Sequence, residues 1–210
     1  MSGPRSLVLL RHGRTAYNAA SRIQGQVDVD LDDTGHDQAA RAAVAVAALQ
    51  PDVLWCSDLE RTRSTAAYVA KETGLEPTYD ARLREFHLGE REGLTHAEFA
   101  ELAPEEFARF RLGDFDAVSG GEATAAVASR MSEVAGELLA ATPAGGTAVA
   151  VSHGAAIRTA VTALVGWPLT ALSALHGLDN CGWVVLDEHK VDPDGPGTLR
   201  LRAYNRTADA

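Results

Sequence analysis

The chain is poor in cysteine and has no long apolar run. Cys56 and Cys181 are its two cysteines, and they form neither a CxxC pair nor a zinc-ligand pattern. A disulfide framework is therefore not expected, and both read as reduced, structural thiols of a cytoplasmic protein. No stretch reaches the roughly 20 apolar residues of a membrane span. No apolar signal-peptide core follows residues 1–5, because Arg11 interrupts the run too early. Positive charge is scarce too: 19 Lys and Arg stand against 29 Asp and Glu, a net charge of −10. Such a protein repels polyanions, so nucleic acid and anionic membrane are poor partners. An anionic substrate needs a local cationic pocket working against the overall field. With 210 residues, 46% hydrophobic and 23% charged, the chain fits one soluble domain with a full core.

What is present is a set of apolar runs that end in chemistry. Residues 7–10 are Leu-Val-Leu-Leu, followed at once by Arg11-His12-Gly13. This reads as a buried strand over 6–11 with a guanidinium and an imidazole at its carboxyl end, where open α/β sheets bind ligands. A second short strand over 53–57 runs into Ser57-Asp58-Leu59-Glu60-Arg61, and a third over 147–152 into Ser152-His153-Gly154. Between them the periodicity predicts helices. One spans 34–49, with Ala39, Ala40, Ala43, Val44, Ala47 and Ala48 at helical spacing. Another spans 59–73 and stops at Gly74, a natural C-cap, with Val69 and Ala70 toward the core and Arg61, Arg63 and Lys71 elsewhere. Residues 83–94 read as a structured loop. Two short helices follow, 95–103 and 104–112, the first with the capping box Thr95/Glu98, then a loop over 113–121. Long helices over 122–142 and 155–165 flank the third strand. Final strands over 181–187 and 198–204 are joined by a polar turn at 192–197. Strands alternating with helices imply a three-layer α/β/α fold around a mainly parallel sheet. Residues 84–121 form a helical excursion placed to act as a lid.

If the three strand ends share one edge, two imidazoles and two guanidiniums converge there, joined by Glu85 from the excursion. A phosphate monoester carries about −1.5 to −2 near neutral pH. Arg11 and Arg61 can neutralise it and His153 can add a hydrogen bond. Imidazole is a competent phosphoryl acceptor, and Glu85 is the available acid for a leaving alkoxide. Each residue also has a plain alternative. His12 reads equally as a satisfied core histidine, His153 as a helix cap, Arg61 as a surface charge beside Glu60, and Glu85 as a solvated loop carboxylate. Their joint occurrence at strand ends argues against chance.

The motifs Leu10-Arg11-His12-Gly13-Arg14-Thr15 with Asn18, Arg22-Ile23-Gln24-Gly25, Ser57-Asp58-Leu59-Glu60-Arg61-Thr62, Leu83-Arg84-Glu85, Gly93-Leu94-Thr95, Gly121-Glu122 and Ser152-His153-Gly154 resemble those of the histidine phosphatase superfamily, also called phosphoglycerate-mutase-like, in its order. The likeness covers roughly residues 6–187 and implies a phosphomonoesterase that works through a phosphohistidine, with no metal and no cofactor. It implies that His12 is the nucleophile. Arg11, Arg61 and His153 form the phosphate pocket, and Glu85 is the general acid and then the base for water. Asn18 and Gln24 are implied as further phosphate or substrate contacts, and Gly154 as the point where backbone approaches the phosphoryl group. The expected partner is a small phosphorylated metabolite, and relatives are often homodimers.

Residues 22–26, 83–89, 93–97, 177–180 and 199–205 resemble the actinobacterial glucosyl-3-phosphoglycerate phosphatases within that superfamily. These stretches bear on subfamily rather than on mechanism. Cofactor-dependent phosphoglycerate mutases are the runner-up. They carry longer chains and usually read Asn-Arg-Phe-x-Gly-Trp where this chain has residues 21–26, Ser-Arg-Ile-Gln-Gly-Gln. A non-catalytic phospho-ligand module is the third reading, opposed by the retention of His12, Arg11, Arg61, Glu85 and His153. Ala123 departs from the Ser that many relatives carry after Gly-Glu, which puts a substrate contact from a hydroxyl there in doubt.

Overall fold

Four apolar residues in the first strand face two different cores, and this sets the layers. The computed structural model describes residues 3–189 and 198–208, so the polar turn expected at 192–197 lies outside the described residues. β1 (Ser6–Arg11) is fully buried along residues 7–10. Leu7 and Leu9 join one hydrophobic core, and Val8 and Leu10 the other, as the two-residue period of a strand requires. β1 is flanked by β4 (Thr147–Ser152), in parallel, and by β5 (Trp183–His189), antiparallel. β2 (Val53–Cys56) extends the parallel side, and β6 (Thr198–Arg206) closes the antiparallel side. With the two-residue edge strand β3 (Thr78–Tyr79), the sheet runs β3-β2-β4-β1-β5-β6. It is mixed and mostly parallel.

α2 (Asp33–Ala47) and α3 (Glu60–Thr73) cover the Val8/Leu10 face. α6 (Thr124–Ala141) and α7 (Gly154–Leu164) cover the Leu7/Leu9 face. α3 stops at Gly74, whose φ of 73° is the left-handed cap expected there. In α2 the face differs from expectation. Gly35, Ala39, Ala42, Ala43 and Val46 are buried, while Val44 is 60% exposed. A helix made mostly of alanine offers little contrast between its sides, so its periodicity is weakly informative. α1 (Ala16–Ala19), β3 and a 3₁₀ stretch over Leu169–Ala174 were not legible either, because one or two turns are too short to show a period. Among the described residues no helix is long and apolar enough to cross a membrane.

The excursion packs its aromatic rings into the Leu7/Leu9 core. It contains α4 (His96–Leu102) and α5 (Pro104–Arg111), with the Thr95/Glu98 capping box in place at 3.1 and 2.6 Å. All five phenylalanines of the chain lie in it. Phe86 stacks on Phe115 at 4.6 Å between centroids, and Phe99, Phe107 and Phe110 complete the cluster. Concentrating the large rings here makes the excursion a packed unit rather than a loose loop. α6 lacks a side-chain cap at Ala123. Asp116 of the excursion supplies one, its Oδ1 accepting from Thr124 N at 2.6 Å.

After β1 the chain passes the first turn of α2 at backbone distance. A Cβ on Gly13 would lie 2.5 Å from the Gly35 carbonyl, and one on Gly35 would lie 2.0 Å from the Arg14 carbonyl. Gly13 N donates to Thr65 Oγ1 at 3.1 Å, which seats the same turn on α3. Neither side can yield by rotating a side chain, so Gly35→Ala should lower stability by about 1–3 kcal/mol. Urea unfolding followed by circular dichroism measures this; an unchanged midpoint would mean that the two backbones separate freely.

Candidate active site

Parallel pairing puts the reactive strand ends side by side. Arg11 pairs with Ser152 across β1 and β4, and Cys56 with Val151 across β2 and β4. His12, His153 and Ser57 therefore leave the sheet on one edge. Arg61 enters from the first turn of α3, and Glu85 follows the 3₁₀ turn Ala81–Leu83. His12 is 3% exposed, and His153 and Arg61 are 0% exposed. The two imidazole rings lie 5.2 Å apart at 60°. Read as an amphipathic helix, α3 places Arg61 away from the core, and the structure corrects this. Its guanidinium is buried because it turns back over the sheet edge instead of out into solvent.

The hydrogen bonds assign the protons. His12 Nδ1 lies 2.7 Å from the Gly13 carbonyl, which can only accept, so Nδ1 carries the proton and Nε2 keeps a lone pair. Burial, reinforced by Arg61 and Arg11, holds this imidazole well below its ordinary pKa. Arg61 Nε donates to His153 Nδ1 at 3.2 Å, so the proton of His153 sits on Nε2, 2.9 Å from Ser57 Oγ. Burial and then Arg61 hold His153 well below its ordinary value as well. Both rings are neutral at pH 7.

The guanidiniums are held by carbonyls. Arg61 Nη2 and Nη1 donate to the carbonyls of Gly25 and Val27 at 2.7 and 2.8 Å. Arg11 Nη1 donates to the Leu178 carbonyl, and Arg11 Nε is buried without a partner. Burial lowers both arginines, Arg61 to about 10, so both remain cations at neutral pH. Glu85, whose negative charge opposes that lowering on each, binds neither directly. Its carboxylate accepts from Phe86 N, Ala155 N and Ala156 N at 2.9–3.0 Å and so sits on the N-terminal turn of α7, where a negative charge is favoured.

The remaining expected residues also reach the site. Asn18 Oδ1 accepts from Thr15 N at 3.2 Å and Gln24 Oε1 from Thr15 Oγ1 at 2.9 Å. With both amide oxygens anchored, the NH₂ groups are left for a ligand in the cavity that both residues line. A Cβ at Gly154 would lie 3.3 Å from Arg11 Nε, so the missing side chain makes room for that guanidinium. Arg14, inside the motif, points away and pairs with Asp32 at 2.8 Å. The cavity measures about 230 Å³, and Phe110 and Phe115 of the excursion form part of its wall. Among the described residues no three His, Cys, Asp or Glu side chains are grouped as metal ligands.

Three contributors escaped the sequence reading. The Leu178 carbonyl holds Arg11, and Asn180 Nδ2 donates to the His12 carbonyl and to Asn18 Oδ1 at 3.3 and 3.1 Å. The stretch 177–180 therefore touches the reactive groups as well as bearing on subfamily. Arg158, one helical turn after Gly154, lines the cavity and has no carboxylate partner among the described residues. Cys181 is a buried free thiol, pushed up to about 12 by burial, so it is inert at neutral pH.

Two buried neutral imidazoles make stability depend on pH. The unfolded chain takes up protons at these rings near pH 6.5 and the folded chain does so only at lower pH. Stability due to them is complete above that value and is lost as pH falls. From pH 7 to 5.5 the loss should be up to about 2–3 kcal/mol for the two rings, and His12→Gln should remove about half of it. Urea unfolding at the two pH values checks this; a flat response would mean that the rings titrate normally in the fold.

The comparisons with known proteins agree with this geometry. The family model for the histidine phosphatase superfamily (branch 1) matches residues 7–200. The chain is 39% identical over 215 aligned residues to glucosyl-3-phosphoglycerate phosphatase of Mycolicibacterium vanbaalenii, spanning 97% of this chain and 96% of that protein. It is 40% identical over 192 residues to the protein of the same name from Mycobacterium tuberculosis, spanning 88% and 86%. The structure of mycobacterial glucosyl-3-phosphoglycerate phosphatase with VO3 superposes with a TM-score of 0.89 at 38% identity, covering 97% of this chain and 100% of that one. With its strand-end histidines and arginines gathered at one sheet edge, the chain belongs to branch 1 of the histidine phosphatase superfamily.

Proposed function

We propose that the protein hydrolyses a small phosphomonoester through a phosphohistidine, without a metal ion, and that its substrate is glucosyl-3-phosphoglycerate or a close relative. The observation that carries this reading is the state of His12. It is a neutral, buried imidazole whose Nε2 lone pair remains after Nδ1 is committed to Gly13, beside two buried guanidiniums held by carbonyls. In the proposed sequence the phosphoryl group sits against Arg11 and Arg61, with Asn18, Gln24 and His153 around it. His12 Nε2 attacks phosphorus, the P–O bond breaks, and Glu85, which takes up a proton when the anionic phosphate enters the cavity it lines, gives that proton to the leaving oxygen. Glu85 then takes a proton from water, whose oxygen attacks phosphorus. The P–N bond breaks, and inorganic phosphate leaves with His12 and Glu85 restored. The chemistry consists largely of positioning and charge stabilisation.

The names of the mycobacterial relatives support the substrate, and so does the cavity beyond the phosphate. Arg158 Nη2 donates to the Leu172 carbonyl at 2.8 Å. Its Nη1 has no partner among the described residues and suits the carboxylate of a glycerate. Phe110 and Phe115 offer an apolar wall. The excursion over 84–121 is read as a lid on one catalytic domain spanning the chain. A cytoplasmic homodimer completes the proposal, its oligomeric state open to sedimentation equilibrium.

Initial rates in EDTA test the reading. Glucosyl-3-phosphoglycerate should be preferred in kcat/KM over p-nitrophenyl phosphate and 3-phosphoglycerate, with phosphate released, and His12→Ala should abolish turnover of all three. Isomerisation of 3-phosphoglycerate without phosphate release would make the enzyme a mutase. Arg158→Gln should lower kcat/KM on the glucosyl ester about 10–100-fold, the worth of a charge-assisted hydrogen bond. It should change p-nitrophenyl phosphate, which has no carboxylate, by less than about threefold. Equal effects on the two would remove Arg158 from substrate binding.

A further inference from the structure

The motif Gly121-Glu122 has so far had no part in the chemistry, although it lies on the far side of the excursion from Glu85. Glu122 turns back along the first turns of α6 to Arg130. Its Oε1 accepts from Arg130 Nε at 2.8 Å and its Oε2 from Arg130 Nη2 at 2.9 Å. The rest of this guanidinium is spent on backbone. Nη1 donates to the carbonyls of Arg82 and Arg84 at 2.6 and 2.7 Å, and Nη2 to the carbonyl of Glu85 at 3.1 Å. All five N–H groups of Arg130 are thereby used.

The clamped segment is the one that carries the proposed acid. Four successive carbonyls, 82 to 85, are all gripped by side chains from elsewhere. Arg130 takes three of them, Ser152 Oγ takes that of Leu83 at 2.7 Å, and Gln26 Nε2 shares that of Glu85 at 3.1 Å. Glu122 also fixes the other flank, since its N donates to the His87 carbonyl at 2.8 Å. The pair is mostly shielded, with side-chain exposures of 16% and 22%. A fork of fixed planar geometry, itself aligned by a bidentate carboxylate, is a rigid template for the backbone it holds.

We propose that Arg130, aligned by Glu122, is a positioning residue for Glu85: it sets the backbone from which that carboxyl group must reach the leaving oxygen. This rests on the reading of Glu85 as the general acid. Misplacing an acid by about an ångström is costly only where the leaving group needs its proton. A lysine at 130 keeps the charge and volume but cannot make five planar bonds.

The test compares two substrates in four proteins: the wild type, Arg130→Lys, Glu85→Gln and the double variant. Arg130→Lys should lower kcat/KM, which covers steps only up to departure of the leaving group, about 10–100-fold on an alkyl phosphomonoester such as glucosyl-3-phosphoglycerate. On p-nitrophenyl phosphate, whose leaving group departs unprotonated, it should lower kcat/KM by less than about threefold, while the later attack of water, which also uses Glu85, slows kcat alike on both. Competitive inhibition by inorganic phosphate should be unchanged, because Arg11, Arg61 and His12 are untouched. In the Glu85→Gln background, Arg130→Lys should add no further loss on the alkyl ester. Selectivity in Glu85→Gln but equal losses on both substrates in Arg130→Lys, or losses that multiply in the double variant, would overturn the positioning role. Equal losses on both substrates in Glu85→Gln itself would instead remove Glu85 as the acid, and the inference with it. If Arg130→Lys does not fold, Glu122→Gln removes the aligning charge and should show the same selectivity more weakly.

Discussion

Two guanidinium groups are buried at the carboxyl edge of the sheet with backbone carbonyls, not carboxylates, as their partners. The rest of the site follows from this arrangement. A buried cation is costly unless hydrogen bonded. Arg61 meets that requirement by drawing in the carbonyls of Gly25 and Val27, and Arg11 by drawing in that of Leu178. Each contact recruits a loop from a distant part of the chain to the same edge. Because those partners are neutral dipoles, and the Glu85 carboxylate is bonded to backbone N–H groups instead, the site keeps two cations against one anion, so a chain of net charge −10 offers a local well for a dianion. Burial, reinforced by the same cations, keeps His12 and His153 neutral, which the proposed attack by His12 requires. A carboxylate bonded directly to Arg61 would weaken both effects.

The excursion serves this arrangement from the other side. Its aromatic cluster packs into the Leu7/Leu9 core. Polar and specific bonds add to that packing: Asp116 caps α6, and the root before Glu85 is bonded to Arg130 and Ser152. Arg84 joins the same root to Asp58 through two hydrogen bonds of 2.7 and 2.6 Å. Glu85 therefore stands where the excursion joins the main layers, its backbone held by α6 and β4.

Much of this was legible in the residues because the informative features are local. An apolar run ending in Arg11-His12-Gly13 or Ser152-His153-Gly154 needs no tertiary knowledge to be read as a strand end. Gly74, Thr95 and Glu98 announce their caps by type and spacing. What was missed depends on the fold. The burial of Arg61 cannot be seen on a helical wheel, which shows faces and not the sheet edge that the first turn overhangs. The buried face of α2 was misread because alanine is accommodated on either side. Asp116 caps α6 from eight residues before Thr124, outside the usual cap position, and the contacts of Leu178 and Asn180 with Arg11 and His12 join residues distant in sequence with no shared period. The ligand-like position of Arg158 likewise follows from α7 lying over the cavity.

The central place of β1 has a consequence for the chain while it is being made. Its parallel partner begins at Thr147 and its antiparallel partner at Trp183. The most apolar strand is thus made well before either of its partners. At roughly 5–20 residues per second, residues 7–10 wait on the order of ten seconds outside the ribosome before either neighbour exists. During that time an unpaired Leu-Val-Leu-Leu segment is open to association with other chains, with Arg5 and Arg11 on either side as the nearest charges. The strand that leads into His12 is thus also one that needs shelter during translation.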